Sequence, residues 1–309
     1  MKKKFAVIGS SGYIAPRHLK AINETGNEVV SATDLTPNNN LKDIFPTAKF
    51  FDEFSDFDKD VQDLADKNDV DFVVICSPNY LHFEHIKWAL EKNISVICEK
   101  PLALSINELD ELKLLEENSQ ASVYSILQLR FHNAIDEMKK SINNFEFHEK
   151  VEGELTYITP RDKSYLETWK GNEKYTGGIA TNIGIHFFDM LHYLYGNMLS
   201  NNVYFRDSFT VSGFTEYENA NIRWFLSIKD TFIPKDHNEH SYRVININNE
   251  ELDFSTGFED LHTLSYKEIL NGNGFGIDQN RTAIDIVEKI RSQNISNYDS
   301  NTHKFLNNL

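Results

Sequence analysis

The sequence has few cysteines and no long apolar run. The two cysteines, Cys76 and Cys98, lie in no Cys-x-x-Cys or Cys/His metal pattern. Each closes an apolar run, so we predict that both are small residues of the core. We also predict that the protein works in the reducing cytoplasm and binds no metal. The first apolar stretch has only about five residues before Gly9, too short for a signal-peptide core. We interpret it as a first strand.

Basic residues are also scarce relative to acidic ones. Lys plus Arg number 31 and Asp plus Glu 47, which gives a net charge of −16. This excess argues against general nucleic-acid binding and against attraction to anionic membranes. No stretch has the apolar length of a membrane span. A polyanionic ligand would therefore need a local basic pocket.

Without a linker or an internal repeat to mark domains, the order of predicted elements divides the chain. Strands alternate with helices up to residue 127, which predicts a doubly wound parallel sheet and a dinucleotide-binding Rossmann domain over 1–127. Residues 128–309 are predicted to form an α+β domain with an open, largely antiparallel sheet, for substrate binding and oligomerisation. The fold class is therefore α/β with a second α+β domain.

The predicted elements follow from apolar periodicity and turn residues. In the first domain the strands are 5–8, 28–34, 48–54, 70–76, 94–98 and 122–128, and the helices are 15–24, 56–67, 80–92 and 107–118. In the second domain the strands are 151–159, 202–206, 209–217, 220–228, 242–247 and 251–254. Its helices are 132–144, 179–195, 258–270 and 278–292, with a loop at 160–175 and an Asn-rich tail at 294–309.

The first turn has the sequence Gly-Ser-Ser-Gly-Tyr-Ile-Ala at 9–15. It lies between a predicted strand and a predicted helix, which is the context of a dinucleotide fingerprint. Gly9 permits the tight turn, and Gly12 permits close approach of a pyrophosphate to the backbone at the helix N-terminus. The spacing alone is a weak signal, because glycine turns before helices are common.

Two further strand ends carry charged residues. Asp34 closes the second strand, where an acid can bind the adenosine ribose and repel a 2′-phosphate, which favours NAD over NADP. The alternative is that Asp34 merely ends a strand. Lys100 follows the strand 94–98, and ligands bind beyond the carboxyl ends of parallel strands, so Lys100 is predicted at the rim of a cofactor crevice. Pro101 restricts the backbone beside it.

Several motifs together carry a family resemblance. They are residues 5–15, Ser77-Pro78-Asn79 with His82, Glu99-Lys100-Pro101-Leu102, and Gly177-Gly178 followed by Gly184-Ile185-His186 and Asp189. In this order they resemble the glucose–fructose oxidoreductase/inositol dehydrogenase (Gfo/Idh/MocA) family over nearly the whole chain. Segments 12–22, 127–130, 156–159, 169–171 and 177–189 resemble one branch, the WlbA/WbpB-type UDP-N-acetyl-glucosaminuronate 3-dehydrogenases of bacterial surface-polysaccharide (O-antigen) synthesis.

The resemblance implies an activity and a set of ligands. Such enzymes use NAD to oxidise the sugar C3 hydroxyl of UDP-N-acetyl-glucosaminuronate to a ketone, and several reoxidise the bound nucleotide with 2-oxoglutarate. A homotetramer or homodimer, formed through an exposed sheet face, and a cis bond before Pro101 are also implied. The cofactor-binding residues are then expected to be Gly9, Gly12, Tyr13, Ile14, Asp34, Ser77, Asn79, His82, Glu99 and Lys100.

Oxidation of a secondary alcohol needs a base for the hydroxyl proton. Lys100, if desolvated, and His186, which titrates near neutrality, are the two candidates. Asn182 lies one helical turn before His186, where many relatives are expected to carry Asp. Because an amide supplies no charge to the histidine, this departure favours Lys100. Asp189, three residues after His186, could orient the ring or bind elsewhere.

A UDP-uronate brings two phosphates and a carboxylate, so cations are needed. Arg161 and Lys170 are predicted substrate contacts, with solvated loop charges as the alternative. The full expected substrate set is Lys100, Gln128, Arg161, Lys170, Asn182 and His186. Arg17 and His18 are interpreted either as surface residues or as contacts to the cofactor or another subunit.

Three rival interpretations compete with this one. A short-chain dehydrogenase needs Tyr-x-x-x-Lys, and none of the 13 tyrosines has a lysine four residues later, which argues against that class. A nucleotide-sensing regulator would share the fold without turnover. A third possibility keeps the enzyme class and changes the substrate to another sugar or inositol.

Overall fold

The chain folds into two compact units. The computed structural model describes residues 2–37, 39–143, 149–248, 250–253 and 256–308. One unit comprises Met1–Gln128 and Glu259–Arg281, and the other comprises Leu129–Phe258 and Thr282–Leu309. The predicted division gave all of 128–309 to the second domain. The difference at Glu259–Arg281 arises because Tyr266 and Ile269 of this segment are buried in the core of the first unit.

The first unit contains a six-stranded sheet in the order β3-β2-β1-β4-β5-β6. Every neighbouring pair is parallel, as predicted. The central strands are runs of Val, Ile, Phe and Ala, which suit a sheet covered on both faces. The strands are β1 (Lys4–Ile8), β2 (Glu28–Thr33), β3 (Lys49–Phe51), β4 (Phe72–Ile75), β5 (Ser95–Cys98) and β6 (Val123–Ser125).

The helices of this unit match the predicted ones within a few residues, with one addition. They are α1 (Ala15–Glu24), α2 (Asn39–Ile44), α3 (Phe54–Asp66), α4 (His82–Glu91), α5 (Ile106–Glu117) and α10 (Leu261–Leu270). Helix α2 was not predicted, because its polar Asn-rich start carries no apolar period. Single 3-10 turns occupy Asn79–Leu81 and Gln128–Phe131, where the sequence predicted a helix start and a strand end.

The second unit contains a six-stranded sheet in the order β12-β11-β7-β10-β9-β8. Its pairs are antiparallel except for β7 with β10, which confirms the mostly antiparallel prediction. The strands are β7 (Val151–Ile158), β8 (Met198–Arg206), β9 (Thr210–Tyr217), β10 (Ala220–Ser227), β11 (Tyr242–Ile247) and β12 (Glu250–Asp253). The helices are α6 (Asn133–Asn143), α7 (Lys163–Glu167), α8 (Glu173–Thr176) and α9 (Ile185–Tyr195), and α11 (Ile277–Ser292) continues into this unit.

The predicted loop 160–175 contains short helices instead. Polar caps explain them: Asp162 accepts a hydrogen bond from the amide of Tyr165, Thr168 from Lys170 and Asn172 from Lys174. Each cap satisfies a backbone donor that would otherwise lack a partner. The apolar period was too short to reveal these single turns.

The predicted helix 179–195 opens with a π-helical turn over Ala180–Gly184 before α9. Gly184 permits this helix to lie against β10, because a Cβ there would come within 2.4 Å of Leu226 Cδ1. Such turns are rare and often accompany functional sites. The turn carries Asn182, and His186 follows it.

The C-terminal segment covers part of one face of the second sheet. Leu306 is buried in a cluster with Ile158, Tyr204 and Phe225, and His303 stacks on Phe225. This part of the sheet face is therefore covered by the chain itself. Three ends of predicted segments, Asn144, Phe254 and Leu309, lie outside the described residues.

Candidate active site

The glycine turn after β1 has the geometry that a dinucleotide requires. Gly9 has φ +78°, and a Cβ there would lie 2.7 Å from the Cys76 carbonyl carbon, so only glycine fits. Helix α1 has no acidic residue in its first turn and no side-chain cap at Ile14. Tyr13 is 82% exposed beside it. The N-terminal amides therefore suit a pyrophosphate, and the residues present fit NAD.

Asp34 joins this turn to the end of β2. Its Oδ2 accepts a hydrogen bond of 2.9 Å from the Ser11 amide, while its own amide donates to the Phe51 carbonyl. The carboxylate is half-buried and faces the glycine turn. The structure thus brings Gly9, Gly12 and Asp34 together, as a ribose-binding acid requires.

Ser77, Asn79 and His82 follow β4. His82 is buried, and its two ring nitrogens lie 2.7 Å from the Ser77 carbonyl and 2.6 Å from the Pro101 carbonyl. Burial lowers the pKa of His82, although both carbonyl oxygens favour protonation. With both nitrogens directed at the backbone, His82 links the loop after β4 to the Lys100 turn. Any part it has in cofactor binding is therefore indirect. Ser77 Oγ lies 2.9 Å from His85 Nδ1, and the Asn79 side chain is buried.

Glu99 lies inside the first unit, at the end of β5. Its Oε1 accepts hydrogen bonds from His18 Nε2 at 3.0 Å and His262 Nε2 at 2.9 Å, and its Oε2 accepts one from the Lys100 amide at 3.3 Å. Burial opposes ionisation, but these histidine donors outweigh it and hold the Glu99 pKa well below its usual range. Glu99 is therefore a buried carboxylate. Its expected contact with the cofactor stays a prediction.

Lys100 is half-buried, and the bond between it and Pro101 is cis, as the resemblance implies. The interpretation of His18 as a surface residue or a ligand contact is wrong. His18 is fully buried, with Nδ1 2.8 Å from the Tyr266 hydroxyl, whereas Arg17 is exposed. His262 and Tyr266 were missed because they lie more than 160 residues from Glu99 in sequence. Their only local signal is an i, i+4 pair on one face of α10.

The second unit carries the other predicted residues. The Asn182 amide donates to the Tyr165 hydroxyl, and the ring of His186 lies edge-on to Tyr157, with 6.1 Å between centroids. His186 is half-buried beside Phe187. Tyr165 and Tyr157 therefore flank the face that presents Asn182 and His186.

Asp189 does not orient His186. Both of its carboxylate oxygens accept bonds from Arg130, at 2.6 and 3.0 Å, in a buried ion pair. Burial raises the pKa of Asp189, although Arg130 opposes this. Of the two options left open for Asp189, the structure therefore shows the second: its carboxylate binds Arg130 in a buried ion pair and does not orient His186.

Arg161 and Lys170 line one cavity of about 870 Å³ with Tyr165, Trp169 and Lys229. The Arg161 guanidinium lies 5.9 Å from the Tyr165 ring, and Lys170 Nζ lies 5.9 Å from the Trp169 ring. Burial and repulsion from Arg161 lower the pKa of Lys170. Asp162 and Asp230 also line this cavity, so its three cations exceed its acids by one, and with its aromatic faces it suits an anionic ligand that has a flat ring.

Gln128, the remaining expected contact, ends the first stretch of unit one. It is 9% exposed, and its Oε1 has no hydrogen-bond partner among the described residues. A buried carbonyl oxygen without a donor is costly, so the hydroxyl of a ligand or a water molecule would satisfy it.

Among the helices described, none is both long and apolar enough to cross a bilayer.

These features define an oxidoreductase with an NAD-binding Rossmann domain. Residues 3–126 match the family model "Oxidoreductase family, NAD-binding Rossmann fold", and residues 139–245 match "Oxidoreductase family, C-terminal alpha/beta domain". The chain belongs to this Gfo/Idh/MocA oxidoreductase family. The predicted fold class, NAD dependence and enzyme class are confirmed.

Solved structures and curated relatives sharpen the comparison. The WlbA (WbpB) dehydrogenase of Thermus thermophilus, in complex with NAD and alpha-ketoglutarate, is 40% identical, with 98% of this chain and 99% of that chain covered and a TM-score of 0.95. Its complex with NAD and UDP-GlcNAcA has a TM-score of 0.94 at the same identity and coverage. The glucose-6-phosphate 3-dehydrogenase of Bacillus subtilis is 30% identical over 62% of this chain. That match spans 54% of the curated relative, so the chain aligns with about half of its length.

Proposed function

We propose that this enzyme oxidises the C3 hydroxyl of UDP-N-acetyl-glucosaminuronate to the 3-keto sugar, with NAD as the acceptor. The observation that carries the proposal is the likeness to the Thermus dehydrogenase, whose structures hold NAD with UDP-GlcNAcA or with alpha-ketoglutarate. The chain is covered almost end to end at 40% identity, well above the level that supports fold alone. The cationic cavity of the second unit adds a matching ligand chemistry.

The residues divide the task by chemistry. NAD, when bound, accepts a hydride from the sugar carbon. Lys100 receives the hydroxyl proton, because it follows β5 at the edge of the sheet where parallel strands bind their cofactor. His186 positions the hydroxyl instead of taking its proton, because Asn182 supplies no carboxylate charge to the histidine and its amide donates to Tyr165. Gly9, Gly12, Tyr13, Ile14 and Asp34 hold the nucleotide, with Ser77, Asn79 and Glu99 assigned to the nicotinamide side.

The substrate's anionic groups need cations on the second unit. Arg161 and Lys170 bind its phosphates or its carboxylate, and Gln128 donates or accepts at a sugar hydroxyl. The segments 128–258 and 282–309 would then form the substrate-binding and oligomerisation domain. As in the branch it resembles, we place the enzyme in bacterial surface-polysaccharide synthesis in the cytoplasm, as a homotetramer or homodimer that recycles NAD with 2-oxoglutarate.

The test is incubation of the purified enzyme with UDP-N-acetyl-glucosaminuronate and 2-oxoglutarate, with products read by mass spectrometry. We expect a sugar two mass units lighter and one 2-hydroxyglutarate per turnover. UDP-N-acetylglucosamine, which lacks the carboxylate, serves as the matched control and should react at least about tenfold more slowly. Turnover of simple polyols in place of the uronate would contradict the proposal.

A second candidate is a 3-dehydrogenase of a phosphorylated hexose. The 30% identity to the Bacillus glucose-6-phosphate 3-dehydrogenase supports it over part of the chain. The same cavity cations would then meet one phosphate in place of three anionic groups. Glucose 6-phosphate in the same assay separates the two, and absence of turnover with any sugar would favour a regulator.

A further inference from the structure

Four buried side chains form a continuous hydrogen-bonded cluster behind the peptide of Lys100. Tyr266 contacts His18, and both His18 and His262 contact Glu99 Oε1, at 2.8, 3.0 and 2.9 Å in turn. Exposure ranges from 0% for His18 and Tyr266 to 6% for Glu99. The cluster, which we call the Glu99 cluster, joins α1, β5 and α10 of the first unit.

The proton positions in the cluster follow from the inventory of donors. An ionised carboxylate only accepts, so both histidines donate Nε2–H to Glu99. His18 Nδ1 is then an acceptor, and the Tyr266 hydroxyl donates to it. His262 Nδ1 is buried with no hydrogen-bond partner in the described parts of the chain, so a proton there would lack an acceptor. This assignment, made from the network, gives one carboxylate held by two imidazole N–H donors.

Glu99 interacts electrostatically with titratable groups on several elements. The groups that face or act on it are His18 on α1, Cys76 after β4, His82 on α4, Cys98 on β5, His262 and Tyr266 on α10, and the adjacent Lys100. Its negative charge helps to raise the pKa of both thiols and of the Tyr266 hydroxyl. A buried carboxylate of this kind persists only while its N–H donors remain.

We propose that His262 and His18 are positioning residues for the dehydrogenase: they hold Glu99 as a carboxylate, and Glu99 fixes the Lys100 peptide at the end of β5. The connection is the hydrogen bond from the Lys100 amide to Glu99 Oε2. Because His18 lies in the helix whose N-terminus faces the cofactor phosphates, the cluster also ties Lys100 to the cofactor helix. The inference rests on the proposed function, since it gives these residues a part in proton removal by Lys100.

The test compares two substitutions of one residue. His262→Leu removes the donor, whereas His262→Gln keeps an N–H near the position of Nε2. We expect His262→Leu to lower kcat by about 10- to 100-fold with KM within about threefold, and His262→Gln to restore kcat to within about fivefold of the wild type. The acid limb of the kcat profile should shift to higher pH in His262→Leu alone, because Glu99 then protonates more readily.

A readout without turnover accompanies the kinetics. The carboxyl 13C resonance of Glu99, assigned by its loss in Glu99→Gln, is titrated in the protein free of substrate. We expect its midpoint to rise by at least about one pH unit in His262→Leu and to stay low in His262→Gln. His303→Leu, which removes a buried histidine of the second unit, is the matched control and should leave this titration unchanged. Tyr266→Phe provides a milder variant if His262→Leu fails to fold, with a smaller shift in the same direction.

Three outcomes would overturn the inference. One is a Glu99 titration and kcat in His262→Leu that match the wild type while only the melting temperature falls. Another is failure of a stably folded His262→Gln to restore kcat. The third is stoichiometric zinc in the purified protein, because the three ligand atoms of His18, Glu99 and His262 lie within 4.8 Å of one another and would then serve a metal. If the wild type does not oxidise the uronate, the proposed function fails, and the 13C titration still decides whether His262 holds the Glu99 charge.

Discussion

The two units present their candidate site residues in opposite ways. In the first, Glu99 and His82 are buried, and each of their polar atoms is directed at a protein partner within 3.3 Å. In the second, Arg161 is exposed and Lys170 half-buried, and both lie over aromatic rings. In the first unit the residues beside Lys100 are therefore held by buried protein contacts, whereas the second unit presents cations to a cavity that suits a charged ligand.

The two units also differ in the sign of the charge that they place at their candidate site residues. The first unit holds a buried negative charge at Glu99, stabilised by hydrogen bonds from His18 and His262. The second unit places Arg161, Lys170 and Lys229 around one cavity, where burial and repulsion from Arg161 lower the pKa of Lys170. An anionic ligand would relieve that repulsion, so ligand charge should matter chiefly to the second unit.

The largest effect is expected at Lys100 of the first unit. Lys100→Met should reduce kcat by about 10³-fold, because the proton acceptor is lost, while the Kd for NAD stays within about threefold. Stopped-flow turnover and NAD titration by fluorescence measure the two. Lys87→Met, which changes a surface lysine paired with Glu111, is the control. Near-normal turnover of Lys100→Met would remove the lysine from its assigned role.

Substitutions in the cavity of the second unit should act through substrate affinity. The double variant Arg161→Ala/Lys170→Ala should raise KM for the uronate by about 10- to 100-fold, with kcat within about fivefold, because charge-assisted contacts to the ligand are lost. Steady-state kinetics measure both constants. Lys174→Ala, an exposed lysine of α8, should leave KM unchanged. A fall in kcat at constant KM would break the division between the two units.

A smaller effect tests the nucleotide side of the first unit. Asp34→Ala should lower the preference for NAD over NADP by about tenfold or more, because the repulsion of a 2′-phosphate and the bond to the ribose disappear together. The ratio of kcat/KM for the two nucleotides is the measurement. Asp52→Ala, an exposed acid after β3, is the control. An unchanged ratio would leave Asp34 as a residue that merely ends its strand.

The last expected effect is on the stability of the second unit and not on its kinetics. Burial lowers the pKa of His303 from 6.5 to about 4. The unfolded chain therefore binds the extra proton first, so this residue's contribution is present above pH 6.5 and is lost as pH falls towards 4. The free-energy difference between wild type and His303→Leu should shrink by about 3 kcal/mol across that window, measured by denaturant unfolding at pH 7.5 and 4.5. A difference independent of pH would contradict the buried neutral ring.

The first unit could be predicted from sequence because its signals are local. The glycine turn, Asp34 and the Glu-Lys-Pro turn each follow an apolar strand, and parallel topology brings their ends to one edge. The Glu99 cluster could not be predicted, since His262 and Tyr266 reach it only through the packing of α10 in the first core. Beyond its i, i+4 spacing from Tyr266, nothing local marks His262, on a helix of mixed composition, as a partner of Glu99.

The second unit was predictable in outline and less so in detail. Its strand pattern alternates clearly, but the loop 160–175 is held by single-turn caps that carry no periodicity. The π-helical turn before His186 also has no sequence signature beyond Gly184, and it changes which side chains share a face with Asn182. The assignment of Asp189 to Arg130 depends on an ion pair 59 residues apart in sequence.

The central claim is oxidation at C3 of the uronate, and one isotope measurement tests it most directly. The substrate is prepared with deuterium at C3, and the nicotinamide nucleotide is recovered after a single turnover and weighed by mass spectrometry. We expect a reduced nucleotide one mass unit heavier than that from unlabelled sugar, and no gain in mass from sugar labelled at C4. Deuterium gained from C4, or none gained from C3 while turnover proceeds, would contradict it.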